Sequence, residues 1–311
     1  MISNLGKQDV NLKATGFADL NRQTKHMRQI SYASSAHTKA GRALIRFMEH
    51  AGGRGSLLKR SRGYEARIAD GLSFWRVMIE CYGIDLDVVN GSIDKIPKNG
   101  PVIVTANHPY GILDGLTMGY LLSETRGDFR IFANDVFSQY DDLSGTILPL
   151  SFKDTKNALQ LNLKTRKNAL KFLDRGGAIG IFPGGTVSTA ITPFNHPKDP
   201  RWRSFTAKMI AKSESVVVPI YFYGHTSRLF QLASHMHATL RMGLLIKEFA
   251  RRVDTSLKIS IGDPLGRDEM TNYLHDPSKL MDFLRQKTYE LSKERVDANS
   301  YGYEFEERYR A

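Results

Sequence analysis

Residues 101–114 read Pro-Val-Ile-Val-Thr-Ala-Asn-His-Pro-Tyr-Gly-Ile-Leu-Asp, an apolar run followed by a turn that carries His108 and Asp114. The first six residues predict a buried strand, since the run is short, apolar and rich in β-branched residues. Pro109 fixes its own backbone dihedral and Gly111 tolerates conformations that other residues avoid, so we expect a tight turn that holds His108 outward. The segment predicts a functional site at the carboxyl end of a strand.

A histidine with a carboxylate a few residues later is what acyl transfer to a hydroxyl group requires. The imidazole takes the hydroxyl proton, and the carboxylate fixes its tautomer and stabilises the imidazolium. This is the logic of a serine hydrolase triad in which the attacking hydroxyl belongs to the substrate. A histidine behind a strand also fits a structural role, so the prediction of catalysis depends on a second motif.

The second motif is Phe-Pro-Gly-Gly-Thr-Val-Ser at residues 182–188, again directly behind an apolar run. Its backbone N–H groups and the hydroxyls of Thr186 and Ser188 are suited to binding a phosphate or carboxylate oxygen. An ordinary strand-ending turn is the alternative. The stretch is not a Walker loop, because no Gly-Lys-Ser/Thr follows at the required spacing.

Strand-like and helix-like patterns alternate through the middle of the chain. Strands are predicted at 84–89, 101–106, 129–133, 178–182, 216–222 and 257–261, and helices at 38–50, 65–82, 115–125, 164–174, 204–213 and 277–297. Such alternation predicts an α/β fold with a mainly parallel central sheet flanked by helices.

Composition divides the chain into four segments. Residues 1–36 are polar, and we expect them to be loosely ordered. Residues 37–83 are predicted to be a helical, basic N-terminal extension. The α/β domain is predicted to span residues 84–270, and a C-terminal helix and tail to span residues 271–311.

Taken together, the two motifs resemble the most diagnostic blocks of the PlsC-like glycerolipid acyltransferase superfamily, Asn-His-x4-Asp and Phe-Pro-Glu-Gly-Thr-x-Ser. Residues 107–115 and 182–188 are most similar to the branch called hemolysin-like or lyso-ornithine-lipid acyltransferases. The likeness continues in Pro-Ile-Tyr-Phe at 219–222 and Ser-Arg-Leu-Phe-Gln at 227–231. It covers about residues 84–264.

Two departures from the superfamily pattern stand out. Five residues separate His108 from Asp114 instead of four, and Gly111 is the residue that we expect to absorb the extra one. Gly184 stands where the second motif usually has Glu. This replacement favours an acceptor head group other than that of simple lysophosphatidate.

The resemblance implies a membrane-surface O-acyltransferase, in which His108 is the general base for a lysolipid hydroxyl and Asp114 orients its ring. The acyl donor is a thioester of coenzyme A or of acyl carrier protein, and no metal or resident cofactor is implied. Backbone N–H groups near residues 184–186 bind the acceptor or the developing oxyanion. The implied substrate-binding residues are Asn107, Gly111, Arg130, Pro183, Gly184, Gly185, Thr186, Ser188 and Arg228. The alternative for Arg130 is a surface charge on a strand. The alternative for Arg228 is that it only solvates a loop.

The chain carries 44 Lys and Arg against 32 Asp and Glu, a formal charge of +12. Such an excess indicates an anionic partner, either nucleic acid or an acidic membrane. The chain has no helix-turn-helix, zinc or RNP signature, so we expect an anionic membrane surface and no nucleic acid as partner, with a basic nucleic-acid-binding protein as the alternative.

No window contains the roughly twenty apolar residues that a spanning helix needs, so the predicted location is peripheral, on the cytoplasmic face. The basic segments 38–50 and 57–60 are the predicted membrane contacts; packing of this basic helix against the domain is the alternative.

The alternative functions are a basic nucleic-acid-binding protein, a non-catalytic lipid-binding relative and a serine hydrolase. A non-catalytic lipid-binding relative would not need His108 and Asp114, and a serine hydrolase would need a Gly-x-Ser-x-Gly elbow that the chain lacks. The single cysteine, Cys81, excludes an internal disulfide. His225, His235 and His237 lack the spacing of metal ligands. The sequence does not distinguish lysophosphatidate, another lysophospholipid and lyso-ornithine lipid as acceptors.

Overall fold

A computed structural model describes residues 31–36, 38–143, 145–153 and 155–305. Within these ranges the chain forms a seven-stranded sheet in the order β1-β7-β6-β2-β5-β3-β4. The strands are β1 (Asp85–Asn90), β2 (Val102–Ala106), β3 (Phe129–Asn134), β4 (Ile147–Leu150), β5 (Ala178–Ile181), β6 (Val216–Phe222) and β7 (Ser256–Ile261). Neighbouring strands are parallel except for the antiparallel pair β6 and β7. The predicted α/β class with a mainly parallel sheet is confirmed.

Helices cover both faces of the sheet. They are α1 (Lys39–Ala51), α2 (Arg54–Arg60), α3 (Tyr64–Ala69), α4 (Phe74–Cys81), α5 (Ile112–Thr125), α6 (Lys156–Leu173), α7 (Ser204–Ile210), α8 (Arg228–Met236), α9 (Ala238–Ala250), α10 (Arg267–Met270) and α11 (Pro277–Tyr289). Side chains of α4, α5 and α9 pack on one face, and side chains of α6, α7 and α11 pack on the other. In the described part of the chain, no helix is long and apolar enough to cross a membrane.

The central strand β2 shows why its sequence is apolar at every position. All five of its residues are buried. Val102, Val104 and Ala106 face one hydrophobic cluster and Ile103 faces the other. A strand covered on both sides reads as a continuous apolar run because successive side chains alternate between the two faces. This strand delivers the turn that carries His108.

The segment predicted as one helix over 65–82 is two helices. Gly71 separates α3 from α4 with a φ of +92°, a conformation that favours glycine. The hydroxyl of Ser73 then caps α4 by accepting a hydrogen bond from the N–H of Arg76. Trp75 and Val77 of α4 belong to the same hydrophobic cluster as the sheet. The end of the expected N-terminal extension is therefore part of the domain core.

Residues 31–36 pack against α1, while residues 1–30, the larger part of the segment expected to be loosely ordered, lie outside the described residues. The hydroxyl of Ser31 and the N–H of Tyr32 donate to the buried carboxylate of Glu49, at 2.7 and 2.6 Å. Tyr32 and Ala33 are buried against α1 and its neighbours. The polar composition of this segment did not indicate order, because its anchor is a single carboxylate on the next helix.

Candidate active site

Asn107 joins the end of β2 to the end of β6. Its side-chain amide donates to the carbonyl of Phe222 at 2.9 Å, and its carbonyl accepts from the N–H of Phe222 at 2.7 Å. Both polar groups of this buried side chain are therefore used by the backbone of β6. Asn107 therefore fixes the turn before His108, and its predicted contact with a substrate stays a prediction.

His108 and Asp114 come together despite the extra residue between them. Nδ1 of His108 lies 3.0 Å from Oδ2 of Asp114, within ion-pair distance, although the alignment at Nδ1 falls outside hydrogen-bond geometry. The same Oδ2 accepts the N–H groups of Tyr110 and Gly111 at 2.7 and 2.9 Å. Gly111 has a φ of +77°, so it absorbs the extra residue and starts α5.

Burial controls the chemistry of this pair. Asp114 is fully buried, and burial raises the pKa of its carboxyl group, while His108 and the N–H groups of Tyr110 and Gly111 oppose the rise. The side chain of His108 is 18% exposed, and its ring stacks on Phe182 at 4.2 Å. Because Nδ1 is buried beside Asp114, Nε2 is the nitrogen available to a substrate.

The second motif meets the first directly. The N–H of Ser188 donates to the carbonyl of His108 at 2.8 Å. Gly185 turns the chain with a φ of +69° and lines the same cavity as His108, as do Thr186 and Val187. The N–H groups of Thr186 and Val187 donate no hydrogen bond to any described residue. Such amides are suited to binding an anionic oxygen.

Asp199 is a site residue that the sequence analysis missed. Its Oδ1 accepts the N–H of His108 at 3.1 Å and the hydroxyl of Ser188, and its Oδ2 accepts the indole N–H of Trp202 at 2.9 Å. Asp199 is fully buried. It thereby joins the two motifs, yet it lies in a stretch that carries no motif.

Asp199 also explains the glycine in the second motif. A Cβ atom added to Gly184 would lie 3.3 Å from the carboxylate of Asp199, so a larger residue has little room there. The carbonyl of Pro183 accepts the N–H of Arg203 at 2.9 Å. The hydroxyl of Ser188 donates its hydrogen bond to Asp199. Pro183, Gly184 and Ser188 therefore shape the loop, and none of them lines the cavity at His108; substrate binding by these residues stays a prediction.

Arg130 and Arg228 lie outside the cavity. Arg130 pairs with Asp128 and stacks over the ring of Phe172 at 4.4 Å. Arg228 donates to the carbonyls of Pro193 and Asn195, each at 2.9 Å. The structure therefore does not bring either guanidinium group to His108, and the alternatives of a surface charge for Arg130 and a loop contact for Arg228 fit these partners.

The cavity at His108 has a volume of about 530 Å³. This size is typical of small-molecule sites. Most of its wall is apolar and comes from α2, α4, α5, β3 and α9; examples are Leu57, Trp75, Met78, Leu116, Ile131 and Phe249. Gly111, Gly185 and Thr186 line it as predicted binding residues. No group of three His, Cys, Asp or Glu side chains among the described residues is arranged to hold a metal ion.

Arg241 of α9 is a second site residue that the sequence analysis missed. It lines the cavity but is only 6% exposed. Its guanidinium donates to Thr186 Oγ1 at 2.9 Å and to the Val187 carbonyl at 2.7 Å. It also donates to the hydroxyls of Thr189 and Ser234, each at 2.7 Å. Arg241 thus holds the loop of the second motif in place.

A family model described as acyltransferase matches residues 72–299. A lyso-glycine lipid O-acyltransferase of Phocaeicola vulgatus is 24% identical over 220 residues, which is 67% of this chain and 74% of the relative. The protein of the same name from Bacteroides thetaiotaomicron is 26% identical over 194 residues, 58% of this chain and 67% of the relative. The crystal structure of the 1-acyl-sn-glycerophosphate acyltransferase PlsC of Thermotoga maritima covers 82% of this chain and 98% of its own, with 15% identity and a TM-score of 0.45.

Proposed function

This chain belongs to the acyltransferase family, and we propose that it moves a fatty acyl group from an acyl thioester to the hydroxyl of a lysolipid. The observation that carries the proposal is the pair of His108 and Asp114, 3.0 Å apart, on the wall of a largely apolar cavity. A base beside a buried carboxylate provides the proton transfer, and an apolar cavity suits the acyl chain.

In the proposed reaction, Nε2 of His108 takes the proton of the acceptor hydroxyl as its oxygen attacks the thioester carbonyl. We assign the N–H of Val187 as the hydrogen-bond donor to the oxyanion. Val187 directly precedes Ser188, whose own N–H is bonded to the carbonyl of His108. Collapse of the tetrahedral intermediate breaks the carbon–sulfur bond, and His108 returns its proton to the thiolate. The products are an ester and a free thiol. Asp114 remains ionised and stabilises the imidazolium between the two transfers.

The acyl chain of the donor is assigned to the apolar wall formed by residues such as Trp75, Met78 and Leu116. Each buried methylene contributes about 0.8 kcal/mol, so a long chain is bound far more tightly than a short one. Both coenzyme A and acyl carrier protein are compatible with this arrangement as carriers. The names of the two relatives make lyso-glycine lipid the first acceptor to test, beside lyso-ornithine lipid and lysophospholipids.

The proposed place of action is the cytoplasmic face of an anionic membrane, with the protein lying on the bilayer. Support comes from α1, whose buried side carries Ile45 and Glu49 while Leu44 and Phe47 are 41% and 71% exposed. Basic residues of α1 flank these side chains. An apolar face with basic flanks is typical of helices that bind a membrane surface. The opposite side of α1 packs against α9 of the domain, with Ile45 fully buried, so the helix is held on the domain while its outward apolar side chains are left to contact a bilayer.

The test is acyl transfer by the purified protein, with radiolabelled acyl-coenzyme A or acyl carrier protein and a panel of lysolipids in anionic vesicles. We expect an ester product, and a loss of about a hundredfold or more in rate for His108→Ala. His275→Ala, an exposed histidine outside the cavity, is the matched control and should keep full activity. Liposome binding without any ester product would favour a non-catalytic lipid-binding protein instead. Full activity in His108→Ala would refute the assigned base.

A further inference from the structure

Arg241 is a buried cation on the cavity wall with no negative partner among the described residues. Its four hydrogen bonds go to three hydroxyls and one carbonyl, all of them neutral. Arg203, on the same wall, shows the contrasting arrangement, since its guanidinium makes two hydrogen bonds of 2.8 Å to the carboxylate of Glu304. Of these two arginines, Arg241 lacks a carboxylate at salt-bridge distance.

An uncompensated charge in this position is costly. Burial lowers the pKa of Arg241 below its ordinary value, which means that its surroundings disfavour the lone cation. A guanidinium nevertheless keeps its proton in proteins. Hydrogen bonds to neutral oxygens satisfy its donors but supply no opposite charge. Fastening the loop alone would not require a cation, since a neutral side chain can make the same kind of hydrogen bond.

The surroundings of Arg241 can receive an anion. The ring centroids of Phe230 and Phe305 lie 4.8 and 4.2 Å from the guanidinium carbon, so both rings contact the cation. Thr186 Oγ1 accepts from Arg241, so the hydroxyl proton of Thr186 is left to donate. The N–H of Thr186 donates to no described residue. Two donors beside a fixed positive charge match the needs of a carboxylate or phosphate.

The donors of Thr186 lie on the same loop as Ser188, which contacts the turn that carries His108. Val187 separates Thr186 from Ser188, and the N–H of Ser188 is bonded to the carbonyl of His108. The cavity wall includes Arg241, Thr186 and His108 together. A ligand whose charge lies at Arg241 can therefore present a hydroxyl to Nε2 only if several bonds separate the two groups, as they do in a lipid with an acidic head.

We propose that Arg241 and Thr186 form a subsite for the anionic head group of the lysolipid acceptor, either a carboxylate or a phosphate. This assignment depends on the proposed acyl transfer and narrows its acceptor to acidic lysolipids. Arg241 supplies the charge and Thr186 supplies the N–H and O–H donors. The apolar part of the cavity remains for hydrocarbon chains.

The test uses acceptor pairs that differ only in charge: lyso-glycine lipid with its glycinamide counterpart, and lysophosphatidate with monoacylglycerol. For the wild type we expect kcat/KM to be about tenfold or more higher for the acidic member, the factor that one hydrogen bond to a charged group gives. If the ratio of kcat/KM values is larger for the lyso-glycine lipid pair, the preferred head group is a carboxylate. If it is larger for the lysophosphatidate pair, the preferred head group is a phosphate. Because Arg241 also holds the loop of the second motif, Arg241→Gln should lower activity on both members, but KM should rise further for the acidic member, so that the preference is lost. Arg228→Gln, whose guanidinium lies outside the cavity, should keep it.

Two results would overturn the subsite: no preference in the wild type, or an equal loss on both members of each pair in Arg241→Gln. A measurement on the wild type covers the case in which Arg241→Gln does not fold. An N-acylglycine without a hydroxyl cannot be acylated, so its binding reports the head-group subsite alone. Its dissociation constant should be about tenfold lower than that of the N-acylglycinamide. Equal binding of the two would refute the subsite. Tight binding of the N-acylglycine, together with no acyl transfer to any lysolipid of the panel, would instead refute the proposed function.

Discussion

The carboxylate of Asp199 accepts the backbone N–H of His108 at 3.1 Å, although 91 positions separate the two residues. The same oxygen accepts the hydroxyl of Ser188, whose N–H is bonded to the carbonyl of His108. The backbone of His108 is thus held at both its N–H and its carbonyl group. The position of the ring therefore depends on a residue outside both motifs.

Asp199→Asn should lower both stability and activity. An amide has a single acceptor oxygen, so either the bonds to His108 and Ser188 or the bond to Trp202 is lost. A hydrogen bond to a charged group is worth about 1.5–3 kcal/mol, which predicts a similar fall in the free energy of unfolding. Urea unfolding and kcat would be measured beside Asp263→Asn, which alters an 83% exposed carboxylate. Equal effects of the two substitutions would contradict the role given to Asp199.

Asp114→Asn should separate catalysis from folding. Asparagine can still accept the N–H groups of Tyr110 and Gly111, but it cannot stabilise the imidazolium of His108. We expect kcat to fall by about 10²- to 10⁴-fold, as in enzymes with a comparable pair. Steady-state kinetics would check this, and near-normal kcat would exclude Asp114 from catalysis.

The same variant predicts a pH dependence of stability. Burial raises the pKa of Asp114, so the ionised carboxyl group costs free energy in the folded state. At pH 8 the Asn variant should therefore be at least as stable as the wild type. As the pH falls through the raised pKa towards the ordinary value, the folded wild type binds the proton first and gains stability relative to the variant. Urea titrations at several pH values would show this; a constant difference would contradict it.

Gly111→Ala should destabilise the turn between His108 and Asp114. The φ of +77° is strained for alanine, and its Cβ would lie 3.0 Å from Val187 Cγ2. Residues forced into such a conformation cost about 1–3 kcal/mol, and activity should fall as His108 moves. Gly115→Ala is the control for stability, because its Cβ meets no atom within 4 Å. In a helix, that change should stabilise by about 0.5–1 kcal/mol. Thermal unfolding of both variants would measure this, and a Gly111→Ala variant as stable as Gly115→Ala would contradict the role given to Gly111.

Phe47→Glu should weaken membrane binding without altering the fold. The ring is 71% exposed on α1, so it is free to enter a bilayer surface. Loss of a buried aromatic side chain costs about 1.5–3 kcal/mol, which corresponds to about tenfold or more in partitioning. Sedimentation with vesicles of phosphatidylglycerol and phosphatidylcholine would measure it. Val88→Glu, an exposed apolar residue on β1, should bind as the wild type does; equal losses in both would point to charge alone.

Local patterns were sufficient for the sheet class, the family and the enzyme class, all of which are confirmed. The apolar run of β2 and the motif around His108 are short-range features, so their residue types are informative by themselves. Four-residue β4 was missed because Ile147–Leu150 includes Pro149 and is too short for a clear period. The helix predicted at 164–174 begins at Lys156, where the hydroxyl of Thr155 accepts from Ala158.

Long-range contacts account for what the sequence did not indicate at the site. Asp199 and Arg241 act through partners in distant segments, and neither lies in a recognisable motif. Conversely, Asn107 and Ser188 lie in the motifs but direct their polar groups to the backbone and to Asp199. A motif identifies which residues a site requires, whereas only the fold separates those that hold the loop from those that face the ligand.

The two hydrogen bonds of Asn107 to Phe222 have a consequence for how the enzyme works. They continue the pairing of β2 and β6 beyond the point where the main chain turns away, with an amide side chain in place of a peptide group. The imidazole is therefore preorganised, and little conformational entropy remains to be lost when the reactants meet. In the proposed reaction, movements that admit a lipid and release an ester would therefore fall to the surrounding helices and loops, and not to the turn that carries His108.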